Sequence, residues 1–167
     1  FFVNVDALRG VPVPKAWKDL LKPEYAGLVG YLDPTSAAVG YAAATAANLA
    51  LGGSASDWRP GIDYFKALKA NRPIVPLQTS YARVLSGEIP ILLDYDFNAY
   101  RAKYKDKANV AFVIPAEGTV LDLAAGGGRH VRLLRALGHR VVAVDRDVAG
   151  LADLAGDARI DGDLRHA

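Results

Sequence analysis

Cysteine and methionine are both absent from the 167 residues. Without cysteine the chain has no disulfide framework and no thiolate chemistry, so the sequence leaves its redox compartment open. The chain begins at Phe1-Phe2 and shows no basic region or cleavage pattern of a signal peptide. These absences together indicate an excised or processed segment.

Charge and long apolar runs are also scarce. The formal net charge is +2, and no run of Lys and Arg suggests a nucleic-acid partner. The one long uncharged stretch, residues 36–56, is mostly Ala and Gly and contains Thr45 and Asn48. Such a stretch transfers poorly into lipid, so we expect a buried helix and no membrane insertion.

Aromatic residues, proline and lysine are missing from residues 119–167. All Trp, Tyr and Phe residues and all nine prolines precede that point. A uniform protein rarely changes composition so sharply, so the sequence predicts two parts, residues 1–118 and 119–167, of different origin. The alternative is chance variation within one α/β domain.

Apolar strands alternate with helical patterns in residues 1–118, which predicts an α/β fold with a mainly parallel sheet and helices on both faces. Thr35 or Ser36 is the expected cap of the long Ala-rich helix, and Ser80 caps a helix that Gly87 closes. Pro60 opens a further helix. The predicted strands are residues 1–5, 28–32, 74–77, 89–93 and 110–114, and the predicted helices include residues 14–21 and 98–107.

Three loops, residues 33–37, 78–81 and 94–98, follow predicted strands, where ligands bind in open α/β sheets. The first two offer helix N-terminal amides and polar groups suited to an anion. The third offers carboxylates suited to a cation or amine. A zwitterion is therefore the expected solute, and the alternative is that these residues are only caps and solvated acids. The predicted solute-binding residues are Thr35, Ser36, Gln78, Thr79, Ser80, Asp94, Tyr95 and Asp96.

Three runs in this part resemble one family. They are Trp17-Lys-Asp-Leu-Leu-Lys-Pro-Glu-Tyr-Ala-Gly, Tyr31-Leu-Asp-Pro-Thr-Ser and Leu85-Ser-Gly-Glu-Ile-Pro-Ile-Leu-Leu-Asp-Tyr-Asp. They are similar to the second lobe of type II periplasmic solute-binding proteins, in the group that serves iron, thiamine, polyamine and phosphonate importers. The resemblance implies a periplasmic protein that closes two lobes on a solute and delivers it to an ABC importer permease, without catalysis. Phe97 and Asn98 stand where iron-binding members carry two tyrosines, which argues against ferric iron.

Residues 119–167 read as a strand, a glycine turn, a helix and a second strand that ends at Asp145. A helix over residues 148–155 and a third strand over residues 158–164 are also expected. A glycine turn lets a ligand approach the backbone, and an acid at the next strand's tip can bind a ribose diol. Val131 occupies the position of the third glycine of a dinucleotide fingerprint, which counts against NAD.

The string Val120-Leu-Asp-Leu-Ala-Ala-Gly-Gly-Gly-Arg-His resembles motif I of class I S-adenosylmethionine-dependent methyltransferases. The resemblance implies a Rossmann-like half-domain, a cytoplasmic parent and S-adenosylmethionine as a possible cofactor. It places the cofactor's methionine part at Asp122, Gly126, Gly127 and Gly128, its ribose at Asp145 and its adenine near Asp163. The chain ends before the elements that hold the acceptor in such enzymes, so we expect no methyl transfer and no enzyme activity.

Three interpretations remain open. The first is a small-molecule binding module of the ABC-importer type, incomplete and chimeric. The second is an S-adenosylmethionine-binding fragment of a methyltransferase. The third is an engineered or recombined α/β chimera without physiological activity.

Overall fold

A computed structural model describes residues 1–78, 81–117, 119–123, 129–136, 138, 140–145 and 159–161. The chain divides into two compact units, Phe1–Glu117 and Gly118–Ala167. We call them the first and second unit and describe each by itself.

The first unit contains a four-stranded sheet. Its strands are β1 (Phe2–Asn4), β2 (Val29–Gly30), β3 (Ile91–Leu92) and β4 (Val110–Phe112), in the order β2-β3-β1-β4. β2 pairs with β3 in parallel, whereas β1 lies antiparallel to both β3 and β4. The sheet is therefore mixed.

The antiparallel position of β1 corrects the predicted mainly parallel sheet. The prediction assumed that every strand feeds a helix that returns the chain in the same direction. The chain between β1 and β2 instead contains short 3-10 helices, Asp6–Leu8, Trp17–Leu21 and Pro23–Tyr25. Because no α-helical crossover joins these two strands, the crossover rule does not set the direction of β1.

Five α-helices lie in the described residues. Four belong to the first unit: α1 (Ala38–Ala50), α2 (Arg59–Lys69), α3 (Tyr81–Leu85) and α4 (Asp96–Tyr100), the last continued by a π-helical turn, Arg101–Lys105. Pro60 lies in the first turn of α2, as predicted. The predicted strand over residues 74–77 is wrong, because only Ile74 forms a bridge, to Gly30, and Leu77 is 99% exposed.

Two apolar clusters fill the first unit. One contains Val3 and Ile91 together with residues of α1 and α2, and the other contains Phe2 and Leu92 together with residues of α3 and α4. Neighbouring residues of one strand point to opposite faces of a sheet. The sheet is therefore buried on both sides.

The second unit has a three-stranded sheet. β5 (Thr119–Leu123), β6 (Arg140–Asp145) and β7 (Arg159–Asp161) are paired in that order and in parallel. α5 (Arg129–Ala136) lies between β5 and β6 in the chain. The predicted helix over residues 148–155 lies outside the described residues.

Across the described residues, no helix combines the length and the apolar character that crossing a membrane requires. The uncharged stretch that raised this question forms α1, which buries Val39, Thr45 and Asn48.

Candidate functional site

Two loops of the first unit open at one edge of the sheet. Val29 pairs with Ile91 and Gly30 with Leu92, in parallel, so β2 and β3 end together. The loop at residues 33–37 follows β2, and the loop at residues 94–96 follows β3. We call this side of the sheet the carboxyl edge. Because the bridge between Gly30 and Ile74 is also parallel, the segment that leads to Gln78 runs toward the same edge.

Asp33 organises the loop after β2. Its Oδ1 accepts hydrogen bonds from the Thr35 amide at 2.8 Å and from the Thr35 hydroxyl at 2.7 Å. These bonds lower the pKa of Asp33, and the bond from the Thr35 hydroxyl has the larger effect. The amides of Ser36 and Ala37 donate to the Asp33 carbonyl at 3.2 and 3.0 Å. The loop is a tight turn built on one aspartate.

This turn corrects the predicted cap of α1. The helix begins after Ala37, and within the described residues no side chain caps its N-terminus. The Thr35 hydroxyl bonds to Asp33 instead, and the Ser36 hydroxyl lies 3.5 Å from the Asp33 carbonyl. A helix N-terminus without a side-chain cap keeps donors for an external acceptor.

Gly40 brings α1 close to the chain that leaves β2. A Cβ atom at this position would lie 2.3 Å from the Leu32 carbonyl oxygen and 2.9 Å from the Asp33 carbonyl carbon. Only glycine permits this approach, so Gly40 sets the distance between the helix and the loop at the carboxyl edge.

Asp94 lies at the start of the loop after β3 and uses both carboxylate oxygens within the protein. Oδ1 accepts a hydrogen bond from the backbone amide of Tyr95, and Oδ2 accepts one from the side-chain Nδ2 of Asn98, each at 2.8 Å. Burial raises the pKa of Asp94, and these two hydrogen bonds act in the opposite direction. A structural role for Asp94 therefore competes with the predicted role in binding a cation.

Asp96 and Phe97 are exposed at the start of α4, next to the half-buried Tyr95. The rings of Tyr95 and Phe97 stack with centroids 5.3 Å apart and an interplanar angle of 21°. A carboxylate beside an aromatic face suits an amine or the hydroxyl groups of a sugar.

The remaining predicted site residues separate into three groups. Gln78 is exposed on the segment after Ile74. In the second unit, Asp122 lies within β5 and Asp145 is the last residue of β6. Thr79, Ser80, Gly126, Gly127, Gly128 and Asp163 lie outside the described residues.

Sequence reasoning missed the roles of Asp33 and Asn98 in shaping this edge. The Asp-Pro-Thr sequence at residues 33–35 is typical of a turn in which the aspartate bonds the backbone two residues on, so Asp33 had a readable signal. No sequence signal indicated the role of Asn98, because its hydrogen bond to Asp94 depends on where α4 starts. In the described part of the chain, no three acidic or histidine side chains converge as metal ligands.

Comparisons with known proteins place most of the chain in one family. The family model for bacterial extracellular solute-binding proteins matches residues 1–123. The periplasmic binding protein AfuA from Actinobacillus pleuropneumoniae, solved with exogenous fructose-6-phosphate bound, is 25% identical with a TM-score of 0.56. The match covers 70% of this chain and 36% of AfuA.

A second solved structure, the periplasmic binding protein P5PA, is 30% identical with a TM-score of 0.56. The match covers 69% of this chain and 36% of P5PA, so this chain spans little more than a third of either structure. A search among curated proteins returned no match.

Proposed function

Because the chain belongs to the bacterial extracellular solute-binding proteins, we propose that its first unit forms one wall of a small-molecule site at the carboxyl edge. The protein then serves as the solute-binding component of an ABC importer outside the cytoplasm and passes its solute to the importer permease. The family is one of binding proteins, in agreement with the expectation that the chain is not an enzyme.

One observation carries this proposal. The parallel pairing of β2 with β3 opens the loops after both strands on the same side. Ligands of open α/β sheets bind outside the carboxyl ends of strands, where loops and helix N-termini meet. The predicted residues Thr35, Ser36, Asp94, Tyr95 and Asp96 all lie in these two loops.

The solute is a molecule with an anionic end and an amine or hydroxyl end. The N-terminus of α1, which no described side chain caps, supports the anionic end, with the Ser36 hydroxyl beside it. Asp96 and the ring pair of Tyr95 and Phe97 support the other end. A zwitterion such as an aminophosphonate meets both requirements. A sugar phosphate is the main competitor, since AfuA was solved with one bound.

Titration calorimetry of the full chain tests this function. The probes are 2-aminoethylphosphonate, putrescine, fructose-6-phosphate and ferric citrate. We expect millimolar binding of the aminophosphonate, about 4 kcal/mol, because the chain spans only 36% of its solved relatives. Putrescine and ferric citrate should bind more weakly.

Two variants with matched controls locate the binding. Ser36→Ala and Asp96→Asn should each weaken binding, whereas Ser56→Ala and Asp63→Asn, exposed in the same unit, should not. Submicromolar affinity for any probe would contradict the proposal that the first unit forms only one wall of the site. Absence of binding to all four at millimolar concentration would reject the site.

A second candidate function is S-adenosylmethionine binding by the second unit. The supporting observation is that β5 and β6 are parallel neighbours with α5 between them in the chain. Leu123 pairs with Val144, so Asp145 lies at the edge where β5 ends. The glycine-rich sequence at residues 126–128 follows β5 along the chain. This backbone arrangement fits a Rossmann-like half-domain, and the cofactor would be held as a ligand without transfer of its methyl group.

Equilibrium dialysis against labelled S-adenosylmethionine tests this candidate. Wild type should bind, and Gly128→Val and Asp145→Asn should each weaken binding at least about tenfold, since hydrogen bonds to a charged group contribute roughly 1.5–3 kcal/mol each. Asp161→Asn, on the neighbouring strand, is the control. Failure of the wild type to bind at millimolar cofactor would reject the candidate.

A further inference from the structure

The helical segment of residues 96–105 turns its large aromatic side chains outward and its small ones inward. Ala99 and Ala102 are buried, whereas Phe97, Tyr100 and Tyr104 are 61%, 58% and 50% exposed. A surface helix ordinarily buries its large apolar residues and exposes its small or polar ones. The Phe97 ring stacks on Tyr95 at the carboxyl edge, but packing inside the first unit does not account for the exposure of Tyr100 and Tyr104.

Tyr100 and Tyr104 form one surface, which we call the aromatic ridge. Their spacing of four residues places them on one face of the helical segment. The rings of Tyr100 and Tyr104 contact each other with centroids 4.6 Å apart. Tyr104 belongs to the π-helical turn, a conformation frequent at functional sites.

Positive charge flanks the C-terminal half of the ridge. Lys103, Lys105 and Lys107 are exposed, and the Lys103 Nζ atom lies 5.6 Å from the centre of the Tyr104 ring. The acid among them, Asp106, is engaged by the Tyr81 hydroxyl at 2.5 Å and by Arg101 at 3.4 Å. The surface around Tyr104 is therefore aromatic and basic.

We propose that the aromatic ridge and its three lysines bind the surface of an anionic lipid bilayer. Tyrosine rings are apolar in body and polar at the tip, which suits them to the headgroup layer. Lysines extend apolar stems along that layer and keep their charge at the lipid phosphates. A single helix presents a convex face, which a bilayer can meet directly, whereas a protein partner would need a matching groove.

Co-sedimentation with lipid vesicles tests this inference on the full chain. One set of vesicles contains phosphatidylglycerol and phosphatidylcholine in equal parts, and the other contains phosphatidylcholine alone. We expect binding to the anionic vesicles only, and weaker binding as salt is raised. Polyglutamate in place of vesicles provides the comparison with an acidic polypeptide.

Two combined variants separate the aromatic and basic contributions. Tyr100→Ser with Tyr104→Ser should lower vesicle partitioning about tenfold, and Tyr41→Ser, an exposed ring on α1, should leave it unchanged. Lys103→Gln, Lys105→Gln and Lys107→Gln together should lower it about fivefold or more, and Lys66→Gln with Lys69→Gln should not. Circular dichroism melting checks that each variant is folded, and the salt titration of the wild type tests the charge effect without any variant.

Four outcomes would overturn the inference. The first is absence of wild-type binding to anionic vesicles, and the second is equal binding to both vesicle types. The third is binding to polyglutamate that needs the lysines but not the tyrosines, which would indicate an acidic protein partner. The fourth is concentration-dependent dimerisation that the tyrosine variant abolishes, which would make the ridge a contact between two copies of the chain.

Discussion

The two units build their sheets from different kinds of neighbours. In the second unit, each strand of the described residues pairs with the next described strand, in parallel. In the first unit, β1 pairs with β3 and β4, whose residues follow it by nearly the length of the unit. All the aromatic residues belong to the first unit. Pairing between strands that are neighbours in the sequence can be predicted from a sequence pattern, whereas pairing across a long separation depends on the packed core.

Removing a large core side chain of the first unit should give the largest effect. Leu68 is fully buried in the cluster with Trp17 and Tyr64. Leu68→Ala should lower the free energy of unfolding of the first unit by about 2–5 kcal/mol. Tryptophan fluorescence reports this unit alone, because Trp17 and Trp58 both lie in it, and calorimetry reports both units.

The matched control is Leu133→Ala on α5, where the leucine is 57% exposed. This variant should change the free energy of unfolding by less than about 0.5 kcal/mol. If Leu68→Ala shifts the whole calorimetric trace as a single transition, the two units unfold together and their separation as stability units fails.

Asn48 is the next test, because the first unit depends on a buried polar contact as well as on apolar packing. The Asn48 side chain is 1% exposed, donates to the carbonyls of Ser54 and Asp57, and accepts from the Gly61 amide at 2.9 Å. Asn48→Ala leaves the Gly61 amide without its acceptor and removes one of two hydrogen bonds from each of the two carbonyls, so we expect the free energy of unfolding in urea to fall by about 2–3 kcal/mol. Ser56→Ala, exposed nearby, should cost little, and a loss equal to that of Asn48→Ala would contradict this role.

Gly40→Ala should have a smaller effect on stability, but it should also change the geometry of the loop at the carboxyl edge. The added methyl group must displace the Leu32 carbonyl, so we expect a cost of about 1–2 kcal/mol and weaker solute binding. Gly52→Ala costs about as much for a different reason, because Gly52 has a φ of +94°. It should leave solute titration unchanged. Equal solute affinity in both variants would show that the α1 contact does not shape the site.

The smallest expected effect is a pH dependence of opposite sign at two aspartates of the first unit. Burial raises the folded-state pKa of Asp94, so its contribution to stability is full below the ordinary value of 3.8 and is lost as pH rises through the raised pKa. Hydrogen bonds from Thr35 lower the folded-state pKa of Asp33, so its contribution is present above 3.8 and is lost as pH falls through the lowered pKa.

Urea unfolding of wild type, Asp94→Asn and Asp33→Asn across the acid range measures both terms. The free energy of unfolding of wild type minus that of Asp94→Asn should fall as pH rises. The free energy of unfolding of wild type minus that of Asp33→Asn should rise as pH rises. Slopes of the same sign would mean that the two carboxyl groups have similar surroundings.

Much of the fold could be predicted where a local signal decided the structure. Gly87 closes α3 with a φ of +79° because glycine adopts the left-handed conformation at little cost. The apolar run that contains β3 is buried, as its composition indicates. The resemblance of residues 1–118 to solute-binding proteins is confirmed by the family match and the solved relatives. The resemblance of residues 119–167 to methyltransferases stays a prediction.

The failures have two physical causes. The direction of β1 and the loss of a strand at residues 75–77 depend on contacts between separate segments. The Thr35 or Ser36 cap is absent for a local reason, because both hydroxyl groups bond to Asp33. The carboxyl-edge loops could be located, since loops after parallel strands share an edge. The hydrogen bonds of Asp33 and Asp94 could not be assigned fully, because each carboxylate oxygen has several possible donors nearby and the sequence does not show which of them is bonded.

The central place of β1 has a consequence for how the protein is made. Phe2–Asn4 leaves the ribosome before its partners at Ile91–Leu92 and Val110–Phe112, which lie far along the chain. Until then the two apolar faces of β1 have no sheet to join, and the loop that must close is long. Synthesis of the first unit therefore passes through a stage in which β1 has no strand partner, and we expect chaperone protection to matter most at that stage.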